Sequence, residues 1–422
     1  MRWTRCFVLG AVFAATSWAQ QPAAPPLEEL LREGLARNPS GQALRLRLEE
    51  ARALVAPAGT LPDPRVALEV QDAKFPSLTV GKEAMSVVGV GVRQDLLYPG
   101  KRAAARAQAE SQVAVAEAEL FLWQLEWARE LGTLYARCYA LDRELEALDA
   151  SLALLQVLAE AAKTRYAAGL AEQEAPIKAE LARAKLAVRQ ANVRTQRQLA
   201  EVALNRLLGR ERFAPLGAVG SLPSLPTPYP PWPETLLVAA ARVRLAEARA
   251  HAAAREVEVF RKALLPSFEA GAFLGTRGKF GAMGSLSFGV QWPLFSREKQ
   301  RPQLAAAELR YRAALAEVEA EKLALLENLA SLEVRMSQAS AQIQRYEQEI
   351  LPLAAAALEA ARASFLAGRG DFATVVEDFN LWLEAKVALA FWQAERFAAA
   401  LDLACCLGTL PWLSGQEVSH EE

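Results

Sequence analysis

The sequence predicts a mainly α-helical protein with a small β part, in which long coiled helical hairpins carry four short strands. Three observations lead to this prediction. Apolar residues recur at steps of three and four, short segments alternate between apolar and small or polar residues, and the same order of elements occurs twice in the 422-residue chain. The first pattern is typical of supercoiled helices, and the second is typical of β-strands.

The amino-acid composition excludes several classes of function. The chain carries 48 basic and 49 acidic residues, so it has no overall electrostatic attraction to nucleic acid. Only 2 histidines and 4 cysteines are present, which leaves few ligands for a metal or redox centre. Outside the N-terminus, no stretch offers the roughly 18 charge-free helical residues of a membrane-spanning helix. We therefore expect neither a nucleic-acid-binding protein, nor a compact soluble enzyme, nor a helical transporter.

Residues 1–19 are predicted to be a secretory signal peptide. Arg2 and Arg5 precede an apolar run at residues 6–15, and Ser17-Trp18-Ala19 has the pattern of a cleavage site. The exported chain would keep three cysteines, two of them adjacent: Cys138, Cys405 and Cys406. An odd number of this kind is not a disulfide framework, so we expect an exported protein that disulfides do not hold together.

After the signal peptide, the chain is predicted to consist of two repeats. The turn at residues 165–170 recurs around Gly368 at an offset of 199, and the helix end Leu208-Gly209 recurs as Leu407-Gly408 at the same offset. A proline-rich stretch at residues 216–233 is predicted to be an extended linker. The predicted domains are a first repeat at 20–215, a second repeat at 234–410 and a C-terminal tail at 411–422.

Each repeat is predicted to contain a helix, a strand hairpin, a long helix and a further helix. In the first repeat, residues 27–56 have a helical pattern, with Asn38-Pro39 as a candidate interruption. Residues 65–72 and 86–95 are predicted strands, joined by a loop around Phe75-Pro76-Ser77. In the second repeat, the alternation places four large apolar residues on one face of a strand: Leu286, Phe288, Val290 and Trp292.

The helices give the clearest signal, because two series of apolar residues indicate a left-handed supercoil with a packed seam. The first series is Leu120, Trp123, Trp127, Leu131, Leu134, Cys138, Leu141, Leu145, Leu148, Leu152 and Leu155. The second series is Leu325, Leu329, Leu332, Met336, Ala339, Ile343, Tyr346, Ile350, Leu353 and Ala357. Cys138 is therefore expected to be a small buried core residue. Residues 99–168 contain no strong helix breaker, which predicts a helix of about 70 residues and roughly 105 Å.

These lengths constrain the assembly. Residues 176–208 and 27–56 are predicted helices that together reach about 95 Å, so both can lie end to end beside the long helix. Four strands cannot close a membrane barrel, because the smallest known barrels have about eight. Two copies would supply about eight strands and three copies about twelve. The sequence thus predicts an oligomeric, membrane-anchored conduit with a long helical extension.

The order of motifs resembles the TolC-type outer membrane efflux family over about residues 27–410. The shared features are the twofold repeat, a Gln-x-x-Leu entry to the long helix at 94–97 and 291–294, a Tyr-x-x-Gly turn at 166–169 with its counterpart at 365–368, and the Leu-Gly helix end. The stretch Tyr98-Pro99-Gly100-Lys101 is similar to members that serve heavy-metal or multidrug efflux.

The resemblance implies a homotrimer with a trimeric α-barrel in the periplasm and a 12-stranded β-barrel in contact with outer membrane lipid. Its partners would be a periplasmic adaptor (membrane fusion) protein and an inner-membrane pump of the RND or ABC type. No nucleic acid, metal or cofactor is expected. The implied function is a passive conduit that exports small molecules or metal ions from the pump and the periplasm to the exterior.

The resemblance also assigns roles to residues near two helical turns. The turns Ala168-Gly169-Leu170 and Ala367-Gly368-Arg369 would contact the adaptor, although Arg369 departs from the family's small-Gly-Leu or small-Gly-Thr pattern. The positions six and nine residues beyond Gly368 would ring the periplasmic aperture. The candidate aperture residues are Thr374, Glu377, Asp378 and Asp371.

Only one of the two counted aperture positions, Glu377, is acidic. The alternative interpretation is that Glu377 and Asp378 are merely solvated charges on a helix face. An ion pair between Arg369 and either Asp371 or Glu377 of a neighbouring copy is a candidate gating contact.

Two other functions stay open from the sequence. The first is a periplasmic adaptor or coiled-coil structural protein, which two tip turns and two strand pairs disfavour. The second is an outer membrane exit duct for type I protein secretion, which has the same architecture. An enzyme is not expected, because His251 and His420 belong to no catalytic constellation and Cys405-Cys406 has no nearby histidine in the sequence.

Overall fold

The computed structural model describes residues 22–72, 85–169, 173–225, 240–410 and 412. The predicted signal peptide, the loop at Phe75-Pro76-Ser77, Leu170, part of the predicted linker and most of the predicted tail lie outside the described residues. The elements are α1 (Leu27–Arg37), α2 (Pro39–Ala58), β1 (Arg65–Gln71), β2 (Val87–Leu96), α3 (Lys101–Ala167), α4 (Glu174–Leu208), α5 (Ala241–Ala263), β3 (Ser267–Thr276), a 3₁₀ turn (Gly278–Phe280), β4 (Ala282–Gln291), α6 (Gln300–Arg345), a π-helical turn (Tyr346–Ile350), α7 (Leu351–Leu366) and α8 (Phe372–Leu407).

The predicted fold class, mainly α with a small β part, is confirmed. The four strands form one antiparallel sheet in the order β1-β2-β3-β4. The predicted strands at 65–72 and 86–95 correspond to β1 and β2, with ends that differ by one residue. Because β2 of the first hairpin pairs with β3 of the second, the sheet joins two segments that are far apart in the sequence.

The first helical segment is interrupted where the sequence has its candidate break. Asn38 stands between α1 and α2, and its Oδ1 accepts a hydrogen bond from the backbone N of Ser40 at 2.8 Å. Its Nδ2 donates to the carbonyl oxygen of Leu207 at 2.9 Å. Pro39 follows at the start of α2, where a fixed φ and a missing N–H are tolerated.

The predicted long helix is confirmed as α3, which has 67 residues. At about 1.5 Å per residue it is roughly 100 Å long. Its seam is buried as predicted: Leu131, Cys138, Leu145 and Leu148 are each 0% exposed. Cys138 is thus the small core residue that its place in the seam predicts.

The seam of the second long helix ends earlier than predicted. It is buried as far as Ile343, but the π-helical turn Tyr346–Ile350 follows, and Leu353 beyond it is 71% exposed. A π-turn accommodates one extra residue, which rotates the following helix by roughly 100° relative to the seam. The prediction of one continuous buried seam to Ala357 is therefore wrong.

Each long helix lies beside two shorter ones, as the helix lengths predict. α2 and α4 pack along α3, and α5 and α8 pack along α6. Further contacts of α3 with α5 and α8 join the two halves of the protein. None of the helices in the described part of the chain is long and apolar enough to cross a membrane.

A buried ion pair connects α3, α4 and the first residues of the predicted linker. Nε of Arg197 lies 2.7 Å from Oδ1 of Asp142, and the two side chains are only 3% and 2% exposed. Oδ2 of Asp142 accepts a hydrogen bond from the backbone N of Val219 at 2.8 Å. Nη2 of Arg197 donates to the carbonyl oxygen of Gly217 at 2.6 Å. This part of the predicted linker is therefore held against the two helices.

We expect Arg197→Met to lower the free energy of unfolding by about 3–5 kcal/mol, because Asp142 would be left buried without its counter-charge. The matched control is Arg194→Met on the same helix. Arg194 is 48% exposed and lies 3.9 Å from Asp149, so its loss should change the free energy by about 0.5 kcal/mol or less. Chemical denaturation of the purified protein measures both, and equal effects of the two variants would contradict the prediction.

Candidate functional site

The strand register sorts the side chains of the sheet onto two chemically different faces. Paired residues share a face, which brings the apolar side chains of all four strands together. Leu286 and Phe288 are 76% and 82% exposed. The other exposed apolar residues of this face are Val66, Leu68, Val70, Val90, Val92, Leu96, Phe268, Leu274 and Val290. An uncovered apolar surface of this size is typical of contact with lipid or another protein chain.

The shared face predicted for β4 is confirmed for Leu286, Phe288 and Val290, which all pair with residues of one face of β3. Trp292 lies just beyond the end of β4 and is 65% exposed. It therefore extends the apolar surface at the end of the sheet that is nearest the helices.

The opposite face of the sheet carries its charged side chains, together with the buried apolar residues Val87 and Phe273. Arg93 lies between two carboxylates, with Nε 3.0 Å from Glu269 and a guanidinium nitrogen 4.0 Å from Glu69. Arg65 lies 3.6 Å from Asp95 on the same face. These side chains are partly exposed, so their ion pairs add little stability. Their effect is to make this face compatible with water, while the other face is not.

The stretch Tyr98-Pro99-Gly100-Lys101 lies at the junction between sheet and helices. Gly100 has a φ of +92°, which residues with a Cβ rarely adopt. Nζ of Lys101 donates to the carbonyl oxygen of Leu265 at 2.7 Å and to Oγ of Ser267 at 2.9 Å. The ring of Tyr98 stacks on Phe268. In this structure the stretch fixes the first long helix to the start of β3.

Two helical turns lie at the opposite end of the long helices. At the first turn, Ala168 and Gly169 are exposed, Gly169 has a φ of +71°, and Leu170 lies outside the described residues. At the second turn, Ala367, Gly368 and Arg369 are all exposed, and Gly368 has a φ of +80°. Both glycines end a helix in the left-handed conformation, which a side chain would strain.

The second turn is a compact, well-bonded structure. The backbone N of Arg369 and that of Gly370 both donate to the carbonyl oxygen of Ser364, at 3.0 and 3.2 Å. The rings of Phe365 and Phe372 meet edge to face at 5.5 Å, and both residues are buried. The turn therefore holds the end of α7 and the start of α8 in a defined relation.

The candidate aperture residues lie together on the first turns of α8. Asp371, Thr374 and Glu377 occur at helical spacing on one exposed stripe, and Asp378 beside them is half-buried. The opposite stripe is buried and apolar: Phe372, Val375, Phe379 and Leu383. Burial of that stripe directs the polar stripe away from the core of the chain.

The charged residues of the second turn also lie near α4, the helix that follows the first turn. The pKa of Lys178 on α4 is raised, chiefly by its hydrogen bond to Glu174 and to a smaller extent by the charge of Asp371. Arg369 makes no ion pair with another described residue of its own chain. Its proposed pairing with a neighbouring copy stays a prediction.

One contact between the two turns is not predictable from the sequence. Arg165 donates a hydrogen bond to the carbonyl oxygen of Phe365, which is 200 residues away in the sequence. The only sequence signal is that both residues shortly precede the glycines of matching turns. No local pattern identifies them as neighbours.

Cys138, Cys405 and Cys406 are free thiols. Burial raises the pKa of Cys138 to about 12, and it also raises the pKa of Cys405, whose Sγ donates to the carbonyl oxygen of Leu125 at 3.4 Å. Within the described ranges, no group of three or more histidine, cysteine, aspartate and glutamate residues is placed to hold a metal ion. Cys138 and Cys405 are thus buried packing groups, whereas Cys406 is half-buried.

One known protein family matches this chain. The model of the outer membrane efflux protein family matches residues 30–210 and 232–409 of this chain. Together the two matched ranges include most of the helices and all four strands. Among curated proteins, no sequence matches.

Several solved structures share this fold. The outer membrane protein VceC from Vibrio cholerae is 24% identical, with a TM-score of 0.77 over 90% of this chain and 96% of that chain. The outer-membrane channel OprN is 20% identical, with a TM-score of 0.78 over 92% and 90%. The CmeC outer membrane channel of Campylobacter jejuni is 14% identical, with a TM-score of 0.72 over 96% and 94%.

We expect Phe372→Ala to loosen the second turn, because removal of a buried ring costs about 3–5 kcal/mol. Arg369 is exposed and is a trypsin site, so local opening should speed cleavage after it. The matched control is Phe391→Ala on the same helix, where the ring is 49% exposed. Cleavage rates under native conditions measure the effect, and equal rates for wild type and Phe372→Ala would contradict it.

Proposed function

This chain belongs to the outer membrane efflux protein family, and from that premise we propose that it is the channel of a tripartite efflux system. It is an outer membrane protein with a helical part in the periplasm. We propose that it acts as a passive conduit, through which small molecules or metal ions pass from an inner-membrane pump and the periplasm to the exterior. The observation that carries this proposal is the two-faced sheet at one end of helices about 100 Å long.

The sheet supports a membrane barrel shared by three copies of the chain. One face is apolar and exposed on all four strands, and the other carries ion pairs around Arg93. In a closed barrel, the apolar face would contact the lipid outside and the charged face would contact the water in the lumen. Four strands per chain and three chains give the 12 strands of the proposed barrel. Closure would also pair the exposed edges of β1 and β4.

Exposed apolar faces on two helices also support a trimer. Exposed apolar side chains occur at helical spacing along α4 and along α6. On α4 they are Ile177, Leu181, Val188 and Leu199, and on α6 they are Leu309, Leu315, Leu323, Leu326 and Val334. Neighbouring copies that pack these two faces together would bury them and close the helices into a tunnel.

The two turns are the proposed contact sites for the periplasmic adaptor. They lie at the far end of the helices from the sheet, and Ala168, Gly169 and the second-turn residues are exposed there. Leu170 belongs to this proposal by its position in the sequence. The inner-membrane pump, of the RND or ABC type, would be reached through the adaptor.

We place the periplasmic aperture at the polar stripe of α8. Three copies of Asp371, Glu377 and Asp378 around one axis would repel each other and attract cations, and Thr374 would add a polar hydroxyl to the same ring. The exposed position of Glu377 and the buried stripe behind it support this assignment.

The channel proposal predicts discrete ion-conducting steps when the purified protein is added to planar lipid bilayers. Glu377→Gln should lower the cation-to-anion permeability ratio roughly twofold, because it removes one carboxylate per copy at the narrow end. Glu384→Gln should have a smaller effect, since Glu384 is an exposed carboxylate on the same face of the helix but two turns further from the narrow end. If the wild-type protein gives no conducting steps, the channel proposal is wrong. If Glu377→Gln conducts with unchanged selectivity, only the assignment of the aperture residues is wrong.

If the sheet is part of a membrane barrel, an introduced charge should disrupt assembly on one face of the sheet and be tolerated on the other. Leu286→Arg places a charge on the lipid face, which costs about 2–4 kcal/mol near the bilayer midplane, whereas Ser285→Arg places the same charge in the lumen. We expect the first variant to lose most of its trimers in the outer membrane fraction and the second to keep them. Cell fractionation and gel analysis of unheated samples measure both, and equal assembly would contradict the assignment of faces.

A further inference from the structure

An open groove lies at the junction between the sheet and the helices. It has a volume of about 550 Å³ and is bounded by the chain after α2, the end of β2 and the first turns of α3. Its lining combines apolar residues with two arginines: Leu61, Leu96, Tyr98, Pro99, Arg102 and Arg106. Within the described part of the chain, no carboxylate lines this groove. Its chemistry is therefore both apolar and positively charged.

The groove is continuous with the apolar face of the sheet. Leu96 is the last residue of β2, pairs with Phe268 and belongs to that exposed face. The ring of Tyr98 stacks on the ring of Phe268, with the ring centroids 6.3 Å apart. Leu96 and Tyr98 thus connect the apolar face to the two arginines. A ligand that fits this groove needs an apolar part in line with the sheet face and a negative part beyond it.

The two arginines keep donors for such a ligand. Nε of Arg102 donates to the carbonyl oxygen of Gly59 at 2.8 Å, which holds the guanidinium in place and leaves its two terminal nitrogens to other acceptors. Nε of Arg106 pairs with Glu110 at 2.9 Å, but the two side chains are 63% and 53% exposed, so the pair is weak. Both guanidinium groups can therefore bind an anion.

Helix stability does not account for these charges. The first turn of a helix carries a partial positive charge and disfavours cations. α1 and α4 have acidic residues in their first turns, whereas α3 has Lys101 and Arg102 there and no acidic residue. Lys262 adds another positive charge, since a Cβ at Gly100 would lie 3.8 Å from its Nζ. An anionic ligand would reduce the mutual repulsion of these groups.

The chain that follows β4 carries a similar combination of side chains. Leu294 and Phe295 are 79% and 73% exposed, and the exposed basic residues Arg297, Lys299 and Arg301 follow them. In the proposed barrel, β4 of one copy would pair with β1 of the next. The segment would then lie beside the groove of the neighbouring copy and add its positive charges there.

We propose that the groove binds the headgroup of an anionic glycerophospholipid, such as phosphatidylglycerol, from the periplasmic leaflet. Its phosphate lies at Arg102 and Arg106, because guanidinium groups match phosphate oxygens in geometry and charge. The first carbons of its acyl chains lie on Leu96 and Tyr98. A zwitterionic headgroup fits less well, since its ammonium group finds no carboxylate in the lining. This inference rests on the proposed membrane barrel, which puts this end of the sheet at the boundary between lipid and water.

The test is native mass spectrometry of the purified full-length protein in detergent, after incubation with phosphatidylglycerol or phosphatidylethanolamine. The wild type should retain one phosphatidylglycerol per chain in preference to phosphatidylethanolamine. Arg102→Gln and Arg106→Gln should each weaken the affinity for phosphatidylglycerol roughly fivefold, because each removes a charge beside the phosphate. The matched control is Arg65→Gln, at the same end of the sheet but on its opposite face, which should leave the affinity unchanged.

A second pair of variants keeps both arginines. Ala103 is exposed and lines the groove, so Ala103→Glu adds a carboxylate there without removing the bond from Arg102 to Gly59. We expect it to weaken the affinity for phosphatidylglycerol roughly fivefold by charge repulsion. Ala103→Gln adds a side chain of the same size without the charge and should keep most of the affinity. Equal losses in the two variants would show that shape, not charge, selects the ligand.

Each further outcome decides one part of the proposal. Equal retention of the two lipids by the wild type overturns the preference for an anionic headgroup. Full displacement of phosphatidylglycerol by inorganic phosphate at millimolar concentration shows a plain phosphate site and overturns the role of the acyl chains. If the wild type conducts in planar bilayers but has no lipid preference, only the lipid site is wrong. If it retains phosphatidylglycerol through Arg102 but never conducts, the channel proposal is wrong and the lipid site stands.

Discussion

The burial of one apolar seam along α3 is the constraint on which the rest of the structure depends. Leu131, Cys138, Leu145 and Leu148 lose all their exposed surface in it. To cover a helix of about 100 Å that carries this seam, shorter helices must lie end to end beside it, and helices of both repeats do so. The strands are thereby placed at one end of the rod and the helical turns at the other. In the proposed channel, this separation would let one chain face lipid at one end and a protein partner at the other.

Polar contacts occur where the helical packing alone does not specify the geometry. Asn38 fixes the break between α1 and α2, and the pair Asp142–Arg197 fixes the chain that follows α4. Arg165 joins the end of α3 to the end of α7. Each is a directional interaction at a junction between elements. Such contacts cost desolvation, so their value lies in specifying one arrangement rather than in added stability.

Much of the fold and part of the candidate site could be predicted from the sequence. The helix α3, the strands β1 and β2 and the break at Asn38 follow from local periodicity and from proline and glycine chemistry, which act within a few residues. The exposed stripe of Thr374 and Glu377 follows from helical spacing as well. The π-turn at Tyr346–Ile350 was missed, because a 3–4 spacing continues through it and only packing shows that the buried face has changed. Arg165 was missed because its partner is 200 residues away.

The sequence by itself determined which segments are helices and strands, that the pattern occurs twice, and which side chains share a face of each element. These properties depend on neighbours along the chain, where the backbone geometry sets the spacing. Only the tertiary structure decided that β2 pairs with β3, that residues 216–219 dock on a buried ion pair, and that Arg165 donates a hydrogen bond to the carbonyl oxygen of Phe365. These contacts join residues far apart in sequence, and they form only after the seams of the long helices have set which surfaces meet.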